Sequence, residues 1–86
     1  MMSNYSYWNS KLSRAVEPVR AEPLQTLADA RTYILALPPG VRTQDDWESA
    51  ARLLIAAAES GTGFDIEQAT FQLERALLFH KLLANR

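Results

Sequence analysis

Proline and glycine set the first limits on what this chain can become. Pro18 and Pro23 stand near the start, Pro38, Pro39 and Gly40 form a block before the middle, and ESGTGFD, residues 59–65, makes a third break. Proline lacks the N–H that continues a helix and biases its predecessor toward extended backbone. The breaks divide 86 residues into an N-terminal arm, residues 1–22, and a helical bundle domain, residues 23–86, with three uninterrupted segments of helical length. A chain of this size holds one domain, and its core is marginal without close helix packing or a second copy.

Each segment of the body has helical periodicity. The first is predicted over 26–37, with Thr26 as N-cap, Asp29 near the positive helix end, and a stripe of Leu27, Ala30, Ile34 and Leu37 with Tyr33 at its margin. Thr43 is expected to cap the second, with Asp45 and Asp46 in its first turn. Its apolar face is Trp47, Ala50, Ala51, Leu54, Ile55 and Ala58; Gly61 is its natural terminator. Glu48 and Arg52 stand four apart, the favourable order for a surface ion pair. The third is expected to start at Asp65, with Gln68 completing a capping box and Phe64 and Ala69 forming a staple. It presents Ile66, Ala69, Leu73, Ala76, Leu77 and Leu83 to its neighbours. Connectors of about five residues favour antiparallel neighbours. The expected fold class is all-α: a small antiparallel three-helix bundle, residues 26 to 84, with an N-terminal arm able to add a short fourth helix.

The strings PLQTLADARTYILALP, WESAARLLIAAAESG and ERALLF resemble a group of short uncharacterised helical proteins from alpha-proteobacteria. The resemblance spans residues 23–83 and lies in core and capping residues. It implies a helical fold in a bacterial cytoplasm, and it carries no activity, cofactor or site residues with it.

The last helix has more apolar surface than one face can hold. Phe71, Leu78 and Leu82 fall on the side opposite Leu73 and Leu77, with Phe79 at the flank. Glu67, Glu74 and Lys81 edge one boundary and Gln68 and Arg75 the other. Leaving three such residues in water forgoes about 1.5–3 kcal/mol each. Two covers are expected. One is the arm: Trp8, Leu12, Ala15, Val16 and Val19 recur at three and four, which predicts a short amphipathic helix over 6–17. The other is a second copy packed about a twofold axis. The expected contact residues are Phe71, Leu78, Phe79 and Leu82, with Tyr7, Trp8 and Leu12 from the arm, and Arg75 and Lys81 at the rim.

Signals for chemistry are thin. The net charge of −1 gives no field toward nucleic acid or anionic membranes. With no cysteine there is no disulfide, thiolate metal site or thiol nucleophile, which fits a reducing cytoplasm. The start, MMSNYSYWNSKLSR, has no apolar core of a secretory signal, and no run reaches the roughly 18 apolar residues of a membrane span. His80 is the only histidine and no HExxH spacing exists, so it is read as a boundary residue rather than a base or ligand. Asp45 and Asp46 point about 100° apart on a helix, and SGTG lacks the pattern of a phosphate loop. The expectation is a non-enzymatic protein-interaction domain that needs no metal or cofactor, contacts no membrane, and pairs with itself as a homodimer.

The alternative is a nucleic-acid-associated regulatory protein. Tyr5, Tyr7 and Trp8 lie among Lys11 and Arg14 in the arm, and Gln68, Thr70, Gln72 and Arg75 could read bases from a recognition helix. Asp65, Glu67 and Glu74 on that same helix disfavour contact with phosphates.

Overall fold

The computed structural model describes residues 6–84. Two strands precede four helices: β1 (Lys11–Val16), β2 (Leu24–Thr26), α1 (Leu27–Leu35), α2 (Pro39–Arg42), α3 (Asp45–Ser60) and α4 (Gly63–Phe79). Tyr5, residues 1–4 of the arm, and residues 85–86 of the bundle segment lie outside the described residues.

α3 is the central element, with α1 on one side and α4 on the other. The two outer helices are joined through the strands: α4 meets β1, β1 pairs with β2, and β2 leads into and packs on α1. Together these elements close a ring around one core. Leu27, Ala30, Trp47, Ala50, Leu54, Leu73, Ala76 and Leu77 lie at its centre, all at most 1% exposed, and Val16 joins them from β1.

The all-α expectation, and the fourth helix predicted over 6–17, are therefore overturned: the fold is mixed, and its fourth side is an antiparallel strand pair. The pairing runs Lys11 to Thr26 and Val16 to Leu24, with an irregular register between them that leaves Ser13, Arg14 and Ala15 exposed. The cause lies in the spacing. Leu12 and Val16 are both buried four residues apart, and four is close to one helical turn but also two strand repeats. Ala15, which only a helix would turn inward, is exposed.

The turn that leads into β1 is tied to the start of α1. The Leu27 N–H donates to the Ser10 carbonyl at 3.0 Å and the Ala28 N–H to the Trp8 carbonyl at 2.9 Å. Asp29 N–H donates to Thr26 Oγ1 at 3.0 Å, and the Asp29 carboxylate accepts from the Thr26 N–H at 3.2 Å, completing a capping box. The first three donors of α1 are thus satisfied, two of them by carbonyls of the turn that leads into β1.

Other boundaries also differ from expectation for local reasons. The block Pro38–Pro39–Gly40 starts the single turn α2, with proline at its first position, where a missing N–H costs nothing. Thr43 closes that turn, donating its hydroxyl to the Pro39 carbonyl at 3.0 Å, so it does not cap α3; Gln44 occupies the N-cap without a side-chain bond. Gly61 ends α3 in the left-handed region, φ 69°, as the sequence predicts. Thr62, rather than Asp65, starts α4: its hydroxyl accepts the Asp65 N–H at 3.2 Å, and Ser60 donates to the Asp65 carboxylate at 2.6 Å. Phe64 is 73% exposed and staples nothing.

α4 ends at Phe79, short of the predicted 84. His80 is its C-cap, Lys81 takes φ 60°, and the Leu82 N–H reaches back to the Leu77 carbonyl at 2.7 Å while Lys81 N–H bonds Leu78 O at 3.0 Å. This is a Schellman closure with lysine where glycine is usual. The chain then runs beside the loop after β1. Val19 N–H donates to Leu82 O at 2.7 Å and Ala84 N–H to Glu17 O at 2.8 Å.

Candidate interaction surface

α4 has three kinds of flank. Its inner face, Ala69, Leu73, Ala76 and Leu77, is wholly buried. One edge is covered by β1 through polar groups. Thr70, fully buried, donates its hydroxyl to Ile66 O at 2.8 Å and accepts the Ser13 N–H at 3.1 Å, so both hydrogen-bonding roles are filled. Beside it the Arg14 guanidinium grips Glu74 through two nitrogens, at 2.5 and 3.0 Å, and reaches Glu67 at 3.3 Å. The bond to Glu74 is the main influence raising the Arg14 pKa, and bonds from Ser13 and then Arg14 hold the Glu67 carboxyl below the usual carboxylate range.

The third flank faces outward and is apolar. Phe64, Phe71 and Leu78 recur every seven residues, two helical turns, along a line of about 21 Å. They are 73%, 51% and 66% exposed, and Phe79 beside them is 78% exposed. The Arg75 guanidinium lies 5.9 Å from the Phe71 ring centre, at the distance of a cation–π contact, so the stripe carries its own cationic margin. Phe64 was not among the expected contacts. The signal that finds it is its seven-residue spacing to Phe71 and Leu78.

The other expected contact residues lie elsewhere. Leu82 comes after the helix has turned away and is half-buried against the core. Leu12 is 5% exposed and belongs to the core. Trp8 is half-buried against the core, with the Arg31 guanidinium 5.4 Å from its ring centre. Tyr7 donates its N–H to Ala58 O at 2.6 Å and lays its ring on Gly61, where an added Cβ would come within 2.7 Å of it. Lys81 is exposed in the left-handed turn.

His80 has a partner that helix spacing could not reveal. Its Nε2 lies 3.0 Å from Asp46 Oδ2, 34 residues earlier, and its ring packs 5.6 Å from that of Trp47. Gln72 Nε2 donates to the Asp46 carbonyl at 3.3 Å. These bonds tie the start of α3 to the end of α4. Among the described residues no three metal-ligating side chains converge. The Trp47 indole N–H is buried without an acceptor among the described residues. No helix among them is long and apolar enough to cross a membrane.

Comparison with protein-family models, with curated proteins and with solved structures finds no match.

Proposed function

We propose that the protein is a small non-enzymatic interaction domain of the cytoplasm that pairs with a second copy of itself through the outer flank of α4. The carrying observation is the line Phe64, Phe71 and Leu78 with Phe79 alongside, four large apolar side chains more than half exposed on one helix. A seam repeating every seven residues is what one helix offers another. Phe71 stands at its middle, so a twofold axis there lets the same residues serve both partners. Exposed apolar groups clustered in this way mark an association surface, where scattered ones would not. Arg14 is engaged by Glu67 and Glu74, which removes one of the cations a nucleic-acid reading would use.

Sedimentation equilibrium of the full chain is expected to give a dimer. Leu78→Asp is expected to give a monomer with an unchanged helical circular dichroism spectrum, because Leu78 contributes little to the core. A wild-type monomer at high micromolar concentration sinks the reading. So does a dimer that Leu78→Asp and Phe71→Asp leave intact.

A further inference from the structure

A second surface, separate from α4, has a different character. Between α1 and α3 lies a recess of about 120 Å³ floored by Ile34, Ala51 and Leu54 and walled by Leu35, Ile55 and Trp8. Leu35 is 54% and Ile55 49% exposed, although each is only one residue from, or next to, a buried core position. Sites for small ligands usually measure 300–1,000 Å³. This recess is too small for that class and suits one bulky side chain of the kind that anchors an interface.

Arg31 lines the recess, and Arg42 and Arg52 line a shallower hollow that adjoins it through Ile34, Leu35, Ala51 and Ile55. Arg31 sits over Trp8, Arg42 donates to the Leu35 carbonyl at 2.9 Å, and Arg52 lines the adjoining hollow together with Ile55. Among the described residues none of the three has a carboxylate within ion-pair distance. Glu48 lines the same hollow as Arg42 and Arg52. Three of the nine basic residues thus lie along this groove without a carboxylate partner among the described residues.

We propose that the α1–α3 groove docks an acidic amphipathic helix from a partner protein. One large apolar side chain enters the recess, and carboxylates a turn to either side meet Arg31, Arg42 and Arg52. Grooves between two helices take helices by this pattern of anchors. Arginine suits the rim because its planar fork matches a carboxylate and it is weakly hydrated. The proposal does not depend on pairing through α4.

The test is a selection of helix-forming peptides of about 18 residues, displayed on phage, against the full-length protein. The best peptide is then titrated into 15N-labelled protein. The expected peptides carry one bulky apolar residue flanked by Asp or Glu. They shift the Trp8 indole, Leu35 and Ile55 signals, and bind more weakly as salt rises. Arg52→Glu is expected to weaken binding about tenfold, and Ile55→Asp to abolish it. Both positions are exposed, and a preserved amide spectrum checks that each variant folds. The proposal is overturned if no peptide is enriched, if enriched peptides show no acidic bias, or if the shifts fall on the outer flank of α4. Concentration-dependent shifts of the groove without peptide would assign it to a second copy. Groove shifts on phosphatidylglycerol vesicles would assign it to a membrane. Either result also overturns the proposal.

Discussion

Two flanks of the same helix were treated differently by the rest of the chain. The edge of α4 bearing Glu67, Thr70 and Glu74 is covered by β1, whereas the edge bearing Phe64, Phe71 and Leu78 is left open. An apolar flank would be expected to draw the arm. The arm went instead where its backbone could be satisfied: Thr70 offers an acceptor to Ser13 of β1, and the start of α1 offers N–H groups to Trp8 and Ser10 in the turn before it. The same placement buries Leu12 and Val16 in the core, and an unbonded buried amide costs about 1–3 kcal/mol, comparable to burying one Leu or Phe, so hydrogen bonds and apolar burial together favour this site over the outer flank.

The sharpest test of that contrast compares neighbours on the inner and outer flanks. Leu73→Ala is expected to lower stability by about 2–5 kcal/mol in urea titrations, because Leu73 is fully enclosed. Phe71→Ala is expected to change the stability of the monomer by less than about 0.5 kcal/mol. A large loss at Phe71 in a monomeric background would mean the outer flank is part of the fold. Next in size, Thr70→Val keeps the shape but strands the Ser13 N–H, with an expected loss of about 1–2 kcal/mol. Amide exchange at Ser13 and through β1 should quicken far more than in α3; a uniform change would show that Thr70 is not what holds the strand. The smallest effect has the opposite sign. Lys81→Gly relieves a left-handed backbone and is expected to raise stability by about 0.5–1 kcal/mol, read as a higher thermal midpoint. A loss there would mean the lysine side chain contributes more than its backbone strain.

The same contrast explains what could be read from the residues alone. Thr26, Gly61, Leu27, Ala30 and Ile34 of α1, and Trp47, Ala50, Leu54 and Ala58 of α3, follow from rules that act within one or two turns, and the structure has them where the sequence predicts; Ile55, expected on the α3 face, is instead 49% exposed, and Ala57 is buried in its place. β1 did not follow, because Leu12 and Val16 satisfy both periods and because its reasons for being extended sit on α1 and α4, far along the chain. The Asp46–His80 contact spans 34 residues and was invisible for the same reason. The Phe71, Leu78 and Phe79 exposure was legible as a second apolar face, but Leu82 was misplaced with it: nothing in KLL signals that a lysine would take the turn usually given to glycine.

The Ser13–Thr70 bond has a consequence for how the molecule comes together. Its partners are 57 residues apart, and the loop they close must be gathered before either gains anything. A helical hairpin such as α3–α4 can assemble from neighbours in microseconds to milliseconds, but the first strand can only register against a scaffold that already exists. The early part of the chain is thus expected to be the last to be committed, which amide exchange labelling during refolding would read as late protection of β1.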